Sequence, residues 1–137
     1  MGQQPYRWWG FARRMVRDYP SLERELENLH EQSITPSASS PSGGNGLNRA
    51  VEQIALRQLP GDDQKVYDAV RMAVDATRQR PDGNVRIELI SRIYWGRKQN
   101  TIDTASADLP ISVETAKRWH KEFILTVGKS YGFKVDT

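Results

Sequence analysis

The sequence contains no cysteine, and this absence excludes several kinds of chemistry at once. The chain of 137 residues can form no disulfide bond, no thiolate nucleophile and no cysteine-ligated zinc site. Histidine is scarce as well, because His30 and His120 are the only two. A zinc site normally needs three or four such ligands, so we expect neither a metal nor any other cofactor.

Long apolar runs and catalytic motifs are missing too. No stretch approaches the ~20 apolar residues of a membrane span, and the first residues, MGQQPYRWWGF, lack the apolar core of a secretory signal. There is no nucleophile motif, and the glycine-rich residues 42–46 follow no strand and lack the lysine of a phosphate-binding loop. We therefore expect a cytoplasmic protein that is not an enzyme and has no membrane partner.

The net charge of +3 is small, so its distribution matters more than its size. Residues 1–46 carry five basic and five acidic side chains, and residues 47–83 carry six of each. Residues 84–137 carry nine basic and six acidic side chains, which places the whole excess in the last third of the chain. Clustered positive charge is what attraction to phosphates requires, although solvated helix faces often carry the same charge.

Apolar residues recur at helical spacing along most of the chain, as in the ladder of Leu22, Leu26 and Leu29. No alternating pattern is long enough to indicate a strand, so the sequence predicts an all-α fold. We divide it into an N-terminal helical segment (1–33), a Ser/Pro/Gly-rich flexible linker (34–46), long central helices (47–83) and a C-terminal helix-turn-helix domain (84–137). Pro20 is expected to divide the first helix, with Asp18 capping its second part.

The stretch ADLPISVETAKRWHKEF near the C-terminus predicts the helix-turn-helix. A short first helix within residues 101–109 is followed by a second that begins near Val113, with Ser112 as its N-cap. Ser106 and Ala116 are small enough to let the two helices cross closely. The residues expected to fill the core between the helices are Leu109, Ile111 and Trp119.

One face of the second helix is polar and mostly basic. Its members lie at positions i, i+3, i+4 and i+7, the spacing of one helix face: Glu114, Lys117, Arg118 and Lys121. Such a helix fits the major groove of double-stranded DNA, with N-terminal residues at base edges and later cations on phosphates. We therefore take these four residues, with Ser112 and Thr115 at the helix start, as candidate DNA-binding residues. His120 is expected on the helix flank or facing phosphate.

The N-terminal aromatic residues have two interpretations. They lie near Arg13 and Arg14 and comprise Tyr6, Trp8, Trp9 and Phe11. They could form a partner-binding or stacking surface, or they could be the buried side of a packed helix.

The chain as a whole resembles the RinA-like, ArpU-related family of small phage transcriptional activators. The resemblance is carried by short motifs in order along the chain: Asp18-Tyr19-Pro20, Ile34-Thr35-Pro36, Gly43-Gly44, Leu89-Ile90, Tyr94-Trp95, Ile111-Ser112, Thr115-Ala116 and Arg118. Its C-terminal part also resembles the promoter-reading helix-turn-helix of sigma factors. The resemblance implies an activator of phage late genes that binds promoter DNA and contacts RNA polymerase in the cytoplasm of the bacterial host. It is also compatible with assembly of the chain into a homo-oligomer.

Two other functions remain compatible with the sequence. A phage DNA-packaging component similar to a small terminase subunit also uses a helix-turn-helix, but it assembles as a ring. A protein-interaction adaptor would use the C-terminal helices to bind only protein. Oligomer size distinguishes the packaging component, which forms a ring, from an activator. Salt-dependent affinity for DNA distinguishes both of these from the adaptor, which binds only protein.

Overall fold

The structure, a computed structural model, describes residues 6–32 and 58–135. Within these residues it contains α-helices and one π-helical turn and no strand, which confirms the predicted all-α class. The elements are α1 (Trp9–Gln32), α2 (Asp63–Arg78), α3 (Gly83–Ile90), the π-helical turn (Ser91–Trp95), α4 (Ile102–Ala107) and α5 (Val113–Tyr131). The predicted linker 34–46 and the start of the central block lie outside the described residues.

No helix in the described ranges is both long and apolar enough to cross a lipid bilayer.

The longest helices, α1, α2 and α5, pack against one another around one apolar core. The side chains with almost no exposure come from α1, α2, α3 and α5: Met15, Val16, Val70, Leu89, Ile90, Ile124 and Val127. Burying a side chain of this kind contributes about 1.5–3 kcal/mol, so each helix depends on its neighbours for stability. The C-terminal helices thus share their core with the N-terminal helix, while the domain boundaries given above stay a prediction.

The expected break at Pro20 is wrong, because α1 runs without interruption from Trp9 to Gln32. Proline has no N–H, so the carbonyl of Val16, one turn earlier, lacks its helical partner. The indole Nε1 of Trp95 donates a hydrogen bond of 2.7 Å to that carbonyl oxygen. Because this bond satisfies the orphaned acceptor, the helix continues through the proline and Asp18 is not an N-cap.

A short turn over residues 79–82 separates α2 from α3. Helix α2 ends at Arg78, and Asp82 takes the left-handed conformation, with φ of 59°, directly before α3 begins. Asparagine and aspartate tolerate this conformation better than most residues with a Cβ. The turn directs α3 back across α2 and α5, where Leu89 and Ile90 enter the core.

Candidate nucleic-acid interface

Helices α4 and α5 form the two helices that the sequence predicts, and both have capped N-termini. The side-chain oxygen of Ser112 accepts a hydrogen bond of 3.1 Å from the backbone N–H of Thr115, which confirms Ser112 as the N-cap of α5. Thr101 caps α4 in the same way, by accepting from the N–H of Thr104 at 3.1 Å. The N-terminus of each helix is therefore fixed by a local hydrogen bond.

The connection between α4 and α5 turns sharply through Pro110. Within the described residues, positive φ among residues other than glycine is limited to Asp82, so this turn forms without a left-handed residue. Its backbone is held instead by hydrogen bonds from Leu109 N–H to Ser106 O at 3.0 Å and from Ile111 N–H to Leu109 O at 2.8 Å. Proline is compatible with this conformation because its fixed φ is negative.

Small residues lie where α4 meets α5, as predicted. Ser106 and Ala116 are buried, with 3% and 0% of their surfaces exposed, and Ala105 beside them has 1%. Trp119 is buried in the same core, while Leu109 and Ile111 are half-buried and pack against it. This packing fixes α5 relative to α4 and leaves the opposite face of α5 in solvent.

The solvent face of α5 contains the predicted binding residues. Glu114, Lys117, Arg118 and Lys121 are all exposed, as is Ser112, and Thr115 is half-buried. The hydroxyls of Ser112 and Thr115 are engaged with each other at 3.1 Å at the helix start. Three cations and one carboxylate thus project from the first turns of α5, and the geometry leaves them free to contact a ligand.

A cluster around Trp119 holds the buried side of the same helix. The guanidinium carbon of Arg86 in α3 lies 4.6 Å from the Trp119 ring centre. Arg86 also bonds the Glu122 carboxylate at 2.7 Å, and Arg80 reaches the same oxygen at 3.4 Å. Because the Arg86 side chain is only 14% exposed, its ion pair and its cation–π contact both lie in a partly desolvated site. Arg86 has no signal in the sequence, because its partners Trp119 and Glu122 lie far along the chain.

The placement of His120 corrects the expectation that it flanks the helix or faces phosphate. The ring is buried with 7% exposure, and its Nε2 lies 2.6 Å from the hydroxyl oxygen of Tyr94. Arg13 Nε donates to that hydroxyl oxygen at 2.9 Å, so the tyrosine proton is free to point at the histidine. Burial, and secondarily the positive charge of Arg13, lowers the pKa of His120 to about 4.

This network joins three elements through polar atoms. Arg13 belongs to α1, Tyr94 to the π-helical turn and His120 to α5. Burial also raises the pKa of the Tyr94 hydroxyl, which keeps it protonated as a donor. A neutral His120 that accepts this bond adds a polar link between α5 and the rest of the core, beside the apolar packing of Ala116, Trp119 and Ile124.

Comparisons with known proteins identify one kind of relative. Over 72 residues the chain is 35% identical to the "Putative autolysin regulatory protein ArpU" of Streptococcus phage O1205. The match covers 52% of this chain and 50% of that protein, so the chain spans about half the length of its curated relative. No protein-family profile matches the chain, and no solved structure matches it. The chain is thus similar to a phage regulatory protein.

Proposed function

We propose that this chain is a phage regulatory protein that binds double-stranded DNA, with α5 as the helix that enters the major groove. The observation that carries the proposal is the exposed, mainly basic face formed by Glu114, Lys117, Arg118 and Lys121 on a capped helix of a two-helix motif. A helix of this diameter fits the major groove, where base edges are distinguishable.

The residues of the face have different roles in the proposal. Arg118 is the candidate base reader, because a guanidinium can bond guanine through two parallel hydrogen bonds. Lys117 and Lys121 are phosphate contacts, which add affinity without sequence information. Ser112 and Thr115 sit at the helix start, where backbone N–H groups and the helix dipole favour a phosphate oxygen. Glu114 would accept a hydrogen bond from a cytosine amino group, and its negative charge would repel a nearby phosphate.

The regulatory part of the proposal rests on the similarity to the phage protein whose name describes autolysin regulation. We propose that the chain acts as an activator of phage late genes, that it contacts bacterial RNA polymerase through a sigma-like arrangement of its helix-turn-helix, and that it works in the host cytoplasm. The proposed role requires DNA binding and protein contact but no catalysis.

Selection from a random duplex library tests the DNA-binding proposal without a known operator. The purified full chain should enrich a defined site, and Arg118→Ala should then relax the preference at one base position by about 1–3 kcal/mol. Lys121→Ala should weaken binding to selected and scrambled duplexes nearly equally. Failure to enrich any site, with no salt-dependent affinity for duplex DNA, would reject the proposal.

A further inference from the structure

A second surface lies at the far end of α5, where five aromatic side chains meet. We call it the aromatic surface; it consists of Tyr6, Trp8, Phe11, Tyr131 and Phe133. Trp8 stacks on Tyr6 and on Phe133, with ring centres 4.9 and 5.3 Å apart. Phe11 meets Tyr131 and Phe133 edge-on, at 5.5 and 5.9 Å. The surface therefore joins the start of α1 to the end of α5.

The backbone of α5 makes room for this cluster at Gly128. A Cβ at this position would overlap the six-membered ring of Trp8, so the indole lies directly against the helix backbone. Gly128 itself is buried beneath it. The aromatic surface is consequently a fixed part of the fold, because the close approach of Trp8 to α5 holds the start of α1 in place.

One apolar side chain of this fixed cluster, Phe11, remains exposed. Phe11 is 40% exposed. Among the described residues, the other large apolar side chain classed as exposed is Met72, at 58%. Exposed aromatic side chains on a rigid scaffold are typical of protein–protein contact sites, where they supply much of the binding energy.

The charges around the aromatic surface are all positive in its two contributing stretches. Residues 6–17 contain four arginines, residues 123–135 contain two lysines, and neither stretch contains an acidic residue. Arg7, Arg14, Lys129 and Lys134 are exposed, and Lys65 from α2 places its ammonium 4.3 Å from the Tyr131 ring centre. Asp62 and Asp63 precede Lys65 in α2, but the stretches from α1 and α5 supply only cations, so the surface favours a ligand that brings negative charge.

The arrangement of the rings favours a protein over a nucleic acid. Bases of single strands bind by stacking on aromatic faces that are free to receive them. Here Trp8 already stacks on two rings and lies on Gly128, while Tyr131 stacks on Phe133 at 5.1 Å and carries Lys65 on its ring. What remains is the exposed part of Phe11, in a stretch whose charged residues are all cations, which suits an apolar side chain accompanied by carboxylates.

We propose that the aromatic surface and its surrounding cations dock an acidic segment of a partner protein, one that carries apolar side chains between carboxylates. This docking proposal extends the activator part of the proposed function, and the biological role of the docking rests on that function. The docking itself requires no contact between α5 and DNA, so the two can fail separately.

The test uses the full chain labelled with ¹⁵N and a short synthetic peptide built from Glu, Asp, Leu and Phe residues. The four tryptophans give separate indole N–H signals, so the location of binding can be read directly. The peptide should shift the signal of Trp8, should leave those of Trp95 and Trp119 unchanged, and should bind more tightly as salt is lowered. A peptide in which Lys replaces every acidic residue should cause no shift.

Matched variants separate the surface from general charge effects. Lys129→Glu combined with Lys134→Glu should weaken peptide binding about tenfold or more, and Phe11→Ala should weaken it severalfold. Met72→Ala and Lys98→Glu, which alter an exposed apolar residue and an exposed cation elsewhere, should leave it unchanged. Thermal melts establish that each variant is folded, and Phe11→Tyr, which keeps the ring, should bind like wild type.

Several results would overturn the proposal. Absence of peptide binding, equal loss in the Met72 and Lys98 controls, or shifts centred on Trp119 would each do so. Competition by a duplex oligonucleotide that is abolished by the Lys129 and Lys134 substitutions would assign the surface to nucleic acid instead. Loss of duplex binding in Lys117 and Lys121 variants that still bind the peptide would leave this docking surface intact while testing the DNA-binding face separately.

Discussion

The two ends of α5 present the same side of one helix to very different surroundings. In the first turns, Lys117 and Lys121 project into solvent. Ile124 and Gly128 lie seven residues, or about two turns, after these lysines and therefore on the same side of the helix. Both are buried, and Trp8 covers Gly128. An amphipathic helix can keep one face in solvent along its whole length, but on this side of α5 the exposed face ends after Lys121, where Trp8 covers the helix. The comparison shows that the near end of α5 is held from one side only, through buried Ala116 and Trp119, whereas the far end is also covered by Trp8.

The comparison predicts that removing the buried anchor at the open end has the largest effect. Trp119→Ala should destabilise the fold by about 3–5 kcal/mol, because it deletes a large core side chain and leaves a cavity. It also removes the ring against which Arg86 lies. Urea unfolding followed by far-ultraviolet circular dichroism measures the loss. A Trp119→Ala variant as stable as wild type would show that α5 is held by its far end alone.

Acid should loosen the middle of the helix through His120. Its pKa is about 4 in the folded state and ~6.5 when unfolded, so the unfolded chain takes up the proton first. The stabilising contribution is complete above pH 6.5 and falls away as the pH drops to 4, by ~3 kcal/mol in total. Unfolding free energies of wild type and His120→Gln across this range give the difference. If both lose stability in parallel, His120 is not buried in its neutral form.

Substitution of Gly128 tests the covered end. Gly128→Ala should destabilise the fold by about 1–3 kcal/mol, since the new methyl group must displace Trp8. Gly10 in α1 is the matched control, because a Cβ there meets no atom within 4 Å. Gly10→Ala should instead stabilise by ~0.5–1 kcal/mol. Equal thermal melting shifts of the same sign in both variants would contradict the placement of Trp8.

The hydrogen bond that replaces the missing N–H of Pro20 has the smallest expected effect. Trp95→Phe leaves the Val16 carbonyl without its donor and should cost about 1–2 kcal/mol beyond the change in packing. In a Pro20→Ala background the helix supplies its own N–H, so the same substitution should cost less. A double-mutant cycle measures this coupling. Strict additivity would mean that the indole bond does not compensate for the proline.

Local sequence patterns predicted much of the candidate site. The cap at Ser112, the small residues Ser106 and Ala116 and the exposure of Arg118 all depend on neighbours within a turn or two, which spacing reveals. His120, Pro20 and Arg86 could not be placed in this way. Tyr94 lies 26 residues from His120, Glu122 lies 36 residues from Arg86, and the Trp95 indole that compensates for Pro20 bonds Val16 across 79 residues. Only the tertiary fold brings these atoms together.

The basic and acidic residues of the N-terminal segment are separated along the chain. Residues 1–46 are balanced overall, yet all four arginines of residues 6–17 precede the first acidic residue, Asp18. A sum over the segment cancels this separation, whereas the fold sets the arginine-rich end of α1 beside the lysines at the end of α5. The aromatic surface forms only because the fold brings residues 6–11 and 131–133 together.

Salt dependence of DNA binding tests the central claim that the open end of α5, and not its covered end, contacts DNA. The measurement compares two double variants on one duplex over a range of salt: Lys117→Ala with Lys121→Ala, and Lys129→Ala with Lys134→Ala. Loss of two phosphate contacts should make the slope of log affinity against log salt shallower by about 1.8 in the first variant, and the second should keep the wild-type slope. A wild-type slope in the first variant, or an equal reduction in both, would contradict the account.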